Sequence, residues 1–450
     1  LALVEAKLEE FRIRPRTIRV SEGRVERFGE FECEFIAVNH SIPDALAVAI
    51  RTSAGAVIHT GDFKMDQLPL DGRITDLNTF ARLGDAGVDL LMVDSTNAEV
   101  PGFVDSERAI EPVIDAVFAK ARGRVIVACF ASHIHRVQQI IDSAVMHGRK
   151  VALVGRSMLR NMAVARELQY LTVPPDCLIS SEEIQNLPDD EVVLICTGSQ
   201  GEPMAVLSRI AHRNHAIEVG DGDTVVLASS LIPGNESAVN NVINGLTKWG
   251  ATVIHKGNAL VHVSGHAAAG ELTYLHNIVK PRNVMPVHGE WRHLRAQAAI
   301  AAKTGVPQEG IVLAGDGDVV DLLDGRARIV GAVPCRYVYV DGSSIGELTD
   351  SDLKDRRILG DEGFISAVVV VDLTEGVVVT EPQVHARGSA EGEDKFGEVV
   401  PLIREAVEAA LRRGVTDRYE LSQVVRRAVG GWAGKALRRK PMIVPMVIEV

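Results

Sequence analysis

The sequence predicts an α/β chain in which a doubly wound, mostly parallel domain interrupts a sheet-rich domain, with a smaller α/β region toward the C-terminal end. Three observations predict it. Strand and helix runs alternate from about residue 103 to 258, sheet-like stretches flank them on both sides, and the pattern begins afresh beyond about 351. With 450 residues, 46% of them apolar and 24% charged, the chain has enough apolar surface to bury several cores.

Taken in order, short strands are expected at 17–20, 33–38, 46–51, 56–59 and 90–93, set apart by Gly, Asp, Pro and Asn turns. The rhythm then becomes strand followed by helix: 124–130 and 133–147, 150–154 and 157–169, 191–196 and 202–212, 224–229 and 236–248. The loops after these strands, near 130–133, 154–157, 197–203 and 230–235, are rich in small polar residues. They fall at the carboxyl ends, where such sheets bind ligands. Sheet character returns over 259–335, with helices expected near 270–278 and 290–303. The last region carries strand runs at 367–371 and 442–448 and helices at 402–413 and 419–428.

Charge and cysteine usage narrow the function. Lys and Arg number 48 against 60 Asp and Glu, a net charge of −12, so a broad basic surface that coats nucleic acid or anionic membrane is excluded. Any polyanion site must be local. Residues 401–450 depart from this with ten Lys or Arg against five Asp or Glu, which reads as a solvated helix face, a polyanion-facing surface or an assembly interface. Cys33, Cys129, Cys177, Cys196 and Cys335 are scattered and odd in number, with no C-x-x-C spacing. Neither a disulfide framework nor a thiolate zinc site is expected, and a reducing, cytoplasmic setting fits. No apolar run approaches the roughly 18 residues needed to span a bilayer, so no membrane partner is expected.

Three islands place metal-binding side chains at strand ends: Asn39-His40-Ser41-Ile42-Pro43-Asp44, His59-Thr60-Gly61-Asp62-Phe63-Lys64 and Met285-Pro286-Val287-His288-Gly289-Glu290. Imidazole and carboxylate bind zinc or manganese without thiolates, and a carboxylate can bridge two ions. Each island alone would mean little, since a single His at a strand end is more often a packed or surface histidine and Gly-Asp after a strand is usually a turn. A fourth, His262-Val263-Ser264-Gly265-His266, puts two imidazoles, a hydroxyl and a glycine amide in one loop ahead of a helix, a set suited to phosphate. His133-Ile134-His135 has chelating spacing, but its neighbours read as helix. His212 and His215 sit in a polar loop and read as structural.

Together the ordered series "NHSIPD", "GDFK", "VDSTN", "FASHIHR", "GSQGEP", "SSLIPGNE", "HVSGHA" and "MPVHGE" resembles bacterial ribonuclease J, of the β-CASP branch of the metallo-β-lactamase superfamily. The resemblance runs from residue 1 to near 450 and includes "YVDG" at Tyr339 to Gly342. It implies a metallo-β-lactamase αββα sandwich, incomplete at its amino-terminal side, with its first part at 1–102 and its second at 259–335. A β-CASP domain is inserted at 103–258, a linker spans 336–350 and a C-terminal domain covers 351–450. The family's His-x-His-x-Asp-His loop occurs nowhere in these residues. Because the sequence opens without Met, in the region that normally follows that loop, the expectation is an amino-terminal part ahead of Leu1 that carries it; a decayed paralogue is the alternative.

The resemblance further implies a metal-dependent ribonuclease with 5′ to 3′ exonuclease action on 5′-monophosphorylated RNA, and some endonuclease action, in RNA processing and mRNA decay. His40 and His288 would each complete the shell of one of two zinc or manganese ions, and Asp62 would bridge them. Asp94 would accept from a ligating imidazole or solvent, and His266 would contact the scissile phosphate and protonate the leaving oxygen. Ala131, Ser132, His133, His262, Val263, Ser264, Gly265 and His266 would line the pocket for the substrate's terminal phosphate. Asp341 resembles a structural calcium ligand. Single-stranded RNA is the implied substrate, and a homodimer or homotetramer and other RNA-degradation enzymes are the implied partners. With only 4% aromatic residues, extensive base stacking is not expected. The competing readings are a DNA-directed β-CASP nuclease and a catalytically inactive RNA-binding scaffold.

Overall fold

The sheet that positions the candidate site draws its strands from both ends of one long stretch of chain. The computed structural model describes residues 1–232, 234–341, 344–389 and 393–450. It divides into two units, Leu1–Pro334 and Cys335–Val450. In the first, β1 (Val25–Phe28), β2 (Phe31–Ala37), β3 (Leu46–Thr52) and β4 (Gly55–His59) form an antiparallel meander, and β5 (Leu90–Asp94) joins β4 in parallel.

The chain then leaves for a second sheet made of β6 (Val125–Ala128), β7 (Lys150–Val154), β8 (Leu178–Ile179), β9 (Val192–Cys196), β10 (Thr224–Leu227) and β11 (Thr252–His255). All its pairings are parallel, in the order β11-β10-β6-β9-β7-β8. Strands β6, β9 and β10 are buried along their whole length, as a parallel sheet covered by helices on both faces requires. The chain returns as β12 (Asn283–Val287), which lies parallel beside β5 and completes the first sheet.

One face of that first sheet is covered by the helices Leu77–Ala86, Ala269–Val279 and Trp291–Lys303, which contribute Phe80, Leu83, Leu272, Leu275, Val279 and Ile300 to the core. The other face meets the ribbon β13 (Asp318–Leu323) and β14 (Arg326–Ala332), where Leu90, Val312 and Ala327 are buried. The sandwich's second layer is thus represented here by a two-stranded ribbon. Glu271, itself buried, accepts from the amides of Met65, Val104 and Ala268, and so fastens the start of the helix that follows the 262–266 loop. Asp76 caps the helix Leu77–Ala86 by accepting from the Thr79 amide at 3.0 Å.

That helix packs backbone to backbone through Gly84. A Cβ there would lie 2.5 Å from the Ile278 carbonyl oxygen and 3.0 Å from Val279 Cα, neither of which can move aside alone. Gly84→Ala is therefore expected to destabilise the unit by about 1–3 kcal/mol. A thermal melt of the variant checks this, and an unchanged or raised midpoint contradicts the packing.

One expected strand is absent, and another that was not expected takes its place at the sheet edge. Residues 17–20 form no strand. Ile18 is exposed and no neighbouring strand pairs with its backbone, and β-branched residues alone do not make a strand without a partner. The edge strand β1 at Val25–Phe28 pairs with β2 instead.

The second unit carries the short hairpin β15 (Val340–Asp341) and β16 (Ser344–Ile345), and a sheet of β17 (Phe364–Asp372), β18 (Val377–Val378), β19 (Gln383–Arg387) and β20 (Met442–Glu449). Alternate residues Ile365, Ala367, Val369 and Val371 point into a core shared with Ile403 and Val407 of the helix Val399–Arg412 and Leu421 and Val425 of the helix Arg418–Trp432. Among the described residues, no helix is long and apolar enough to cross a membrane.

Candidate metal centre and adjoining anion pocket

Three loops at the carboxyl side of the first sheet bring His40, Asp62 and His288 together. Asp62 follows β4 through Gly61, which turns the chain with φ +60°. Its two carboxylate oxygens face different imidazoles: Oδ2 lies 3.6 Å from His40 Nε2, and Oδ1 lies 3.6 Å from His288 Nε2. His288 comes directly after β12 and adopts φ +55°, an uncommon conformation for a side-chain-bearing residue. Two hydrogen bonds hold that turn, from Thr96 Oγ1 to the His288 carbonyl at 3.1 Å and from the Ser95 amide to the Val287 carbonyl at 2.9 Å.

The tautomer of His40 follows from its neighbour. Nδ1 lies 2.9 Å from the Gly265 carbonyl, which can only accept, so Nδ1 carries the proton and Nε2 presents a lone pair toward Asp62. A backbone carbonyl behind an imidazole is the usual orienting partner of a metal-binding histidine. Gly265 must be glycine for this approach, because a Cβ would lie 2.8 Å from His40 Nδ1. Lone pairs that converge 3.6 Å apart, across one carboxylate shared by two imidazoles, fit a pair of divalent cations and an N/O donor set.

Asp94, at the end of β5, is almost wholly buried and saturated by donors. Its Oδ2 accepts from His266 Nδ1 at 2.7 Å and from the Phe63 amide at 3.3 Å, and its Oδ1 accepts from the Thr96 amide at 3.0 Å and from Thr96 Oγ1 at 2.9 Å, whose one hydrogen is shared with the His288 carbonyl. Four donors suit an orienting acceptor better than a metal ligand. His266 stands between the two flanking imidazoles, with ring centroids 5.0 Å from His40 and 5.4 Å from His288. Two groups could hold an ion by proximity: His40, Asp62 and His266, and Asp94, His266 and His288. Burial disfavours the charged form of His266, but the Asp94 hydrogen bond and the charges of Asp94 and Asp62 outweigh it and hold its pKa above the usual range. In His40 burial prevails and lowers the pKa.

His133 and His262 lie where the second sheet changes its winding. The helix Ile134–Met146 after β6 and the helix Glu236–Lys248 after the neighbouring β10 pack into different cores, on opposite faces, so their loops part at the carboxyl end of the sheet. Crevices at such points bind ligands. His133 and His262 meet there edge to face, with centroids 6.2 Å apart. Both are buried. Among the described residues neither ring nitrogen of His133, nor Nδ1 of His262, has a hydrogen-bond partner, and His133 Nε2 lies 3.6 Å from a Glu107 carboxylate oxygen. Burial above all, then the Arg136 cation, pushes the His262 pKa down to about 3.

Comparison with known proteins places the chain. The ribonuclease J β-CASP domain model matches residues 122–246, the Zn-dependent metallo-hydrolase RNA specificity domain matches 253–309, and the ribonuclease J C-terminal domain matches 352–450. Ribonuclease J of Mycobacterium tuberculosis is 53% identical over 451 residues, which cover 100% of this chain and 81% of the relative. The chain belongs to the ribonuclease J family. Further ribonuclease J relatives include that of Thermus thermophilus, 42% identical over 100% of this chain and 78% of its own, and ribonuclease J2 of Bacillus subtilis, 35% identical over 100% and 82%.

In this ribonuclease J chain, the expected residues His40, Asp62, Asp94, His266 and His288 gather at one centre, and His133 and His262 meet each other at the start of the helix after β6. Ser132 lines the turn into the helix, and the Ala131 carbonyl accepts from Asn161 Nδ2 at 3.1 Å. Val263 is buried. Ser264 Oγ accepts from the His266 amide at 3.2 Å, which leaves its hydrogen free to donate. His133 and His135 turn to different carboxylates, Glu107 and Asp71, and so form no chelating pair. Asp341 lies in the other unit, bound by Arg356 Nη2 at 2.8 Å, and belongs to no group of three ligand-bearing side chains among the described residues. Its neighbour Gly342 lies outside the described residues. Sequence reasoning missed Lys64, Glu107 and Arg136, a buried charged cluster behind the pocket. The one signal available was a Lys and an Arg inside otherwise apolar-flanked motifs.

Proposed function

We propose that this chain is a metal-dependent ribonuclease that removes nucleotides 5′ to 3′ from RNA bearing a 5′-monophosphate, and that cleaves internally where the strand can thread past the pocket. One observation carries the reading. The loop from His262 to His266 has one end in the anion pocket, against His133, and the other in the metal centre, against Asp94. A terminal phosphate gripped at the first end holds the next linkage at the second, so the loop fixes the distance from chain end to cleavage point.

Two zinc or manganese ions bound at this centre would supply an acidified water and charge stabilisation for in-line displacement at phosphorus. The chain's own residues do the rest. His40, Asp62 and His288 would hold the ions, and Asp94 fixes the His266 ring so that Nε2 is the nitrogen left for the scissile phosphate and the leaving oxygen. Ser264 Oγ and the rings of His133 and His262 donate to the terminal phosphate. The match of 253–309 to a domain described by its RNA specificity favours RNA over DNA, because that segment contains the loop. Gathering of the metal-binding residues around Asp62 disfavours an inactive scaffold. The homodimer or homotetramer reading attaches to the C-terminal unit, where β20 exposes Val444, Met446 and Ile448.

In the full-length protein, Ser264→Ala is expected to lower the preference for 5′-monophosphate over 5′-triphosphate ends by about 10- to 100-fold, the worth of one hydrogen bond to a charged group. Degradation rates on one RNA prepared with each end test this. Equal digestion of the two ends by the unmodified enzyme removes the reading.

A further inference from the structure

We propose that Glu107 is a positioning residue for exonucleolytic cleavage: its carboxylate ties the loop that carries Asp62 to the pocket that carries His133 and His262. The proposal rests on the reading of that pocket as the terminal-phosphate site.

Glu107 opens the short turn Glu107–Ile110, where the chain passes from the first sheet to the second, and it is buried. Its Oε1 lies 3.4 Å from Lys64 Nζ and 3.6 Å from His133 Nε2, and its Oε2 accepts from Arg136 Nη2 at 2.7 Å. Arg136 is entirely buried and donates onward, from Nη1 to the Val261 carbonyl at 2.5 Å and from Nε to Gln139 Oε1 at 3.1 Å. Gln139 returns a bond to the Glu107 carbonyl at 2.9 Å. The Glu107 amide donates to Asp66 Oδ2 at 3.0 Å, and Asp66 also pairs with Lys64.

These contacts join three loops through one carboxylate. Lys64 and Asp66 follow Asp62 in the same loop; His133 and Arg136 begin the helix after β6; Val261 leads directly into His262. Burial alone would favour the neutral acid, but His133, Arg136 and Lys64 around the carboxylate outweigh it and hold its pKa well below the usual range. A buried cluster of this kind is weak as a source of stability, because desolvation offsets the Coulombic gain. What it supplies is fixed geometry. His133 gives a second observation: it is buried, its Nε2 faces the Glu107 carboxylate at 3.6 Å, and its Nδ1 has no hydrogen-bond partner among the described residues, which leaves that nitrogen for a group from outside the protein. Small displacements matter here, since misplacing a reacting group by about 1 Å can cost on the order of 100-fold in rate.

The test uses the full-length protein, with Glu107→Gln, Glu107→Asp and Ser264→Ala compared on one single-stranded RNA bearing either a 5′-monophosphate or a 5′-triphosphate. Gln keeps the size but loses the charge that holds Lys64 and His133. It is expected to lower kcat on the monophosphate end by about tenfold or more, with little change on internal cleavage of the triphosphate RNA. Asp keeps the charge and is expected to recover part of the loss. Loss of Ser264→Ala preference together with an intact preference in Glu107→Gln overturns the role of Glu107 alone. A parallel fall on both ends in Glu107→Gln overturns it too, since a merely structural residue would act so. An intact preference in Ser264→Ala overturns the pocket reading and this proposal with it. Gln139→Leu cuts two bonds of the cluster without stranding a charge and decides the matter if Glu107→Gln does not fold: a preserved monophosphate preference there overturns the proposal.

Discussion

Asp62→Ala in the full-length protein is expected to reduce RNA hydrolysis by about a thousandfold or more, and to lower bound metal in the same samples. The size follows from the position of the carboxylate. Each oxygen of Asp62 faces a different imidazole at 3.6 Å, so one substitution removes a donor from both cation sites at once. Charge stabilisation by bound cations is worth several kcal/mol, and each 1.36 kcal/mol is tenfold in rate. Loss of either flanking histidine leaves the shared carboxylate in place and should therefore cost less. Asp62 is surface-accessible and has no part in the cores, so the fold should survive the change. The decisive measurements are kcat/KM on a 5′-monophosphorylated RNA and metal content by elemental analysis. A variant that keeps full metal and activity within tenfold would show that Asp62 does not bridge.

The same residues show which features the sequence made legible. His40, Asp62 and His288 were readable because each follows a strand and sits in a short motif of small residues, and strand ends are where a sheet delivers side chains to one edge. The parallel sheet was readable because β6, β9 and β10 are continuous apolar runs between helical stretches. Glu107 was not, because its partners lie 29 residues away at Arg136 and 43 away at Lys64, and nothing in a carboxylate's own neighbourhood announces a contact over that distance. The helix Asp350–Glu362 went unread for a different reason: it buries no residue, so it displays no apolar stripe. Residues 17–20 erred in the opposite direction, with strand-forming residues that find no partner. The site was legible at its ligands and illegible in the cluster that spaces them.

His266→Ala is expected to cost about 10²–10⁴-fold in hydrolysis, the range for a side chain that moves a proton in the transition state. Asp94→Asn should cost about 10- to 100-fold through the same imidazole. The asymmetry comes from the four donors on Asp94: Phe63 and His266 on one oxygen, Thr96 twice on the other. Asparagine has one oxygen to offer. If it faces Thr96, its NH2 meets His266 Nδ1, which must then stay unprotonated, and the doubly protonated ring that the Asp94 carboxylate favours is lost. If it faces His266, its NH2 meets both Thr96 donors, and the turn that holds the His288 carbonyl loosens. Either way Asp94 acts through another residue, so the double variant should be no slower than His266→Ala alone, because an orienting group has nothing left to orient. Steady-state rates of the three variants on the 5′-monophosphorylated RNA close this cycle. Multiplicative losses would mean that Asp94 touches the metal or substrate directly, and would return it to the ligand set with His266 and His288.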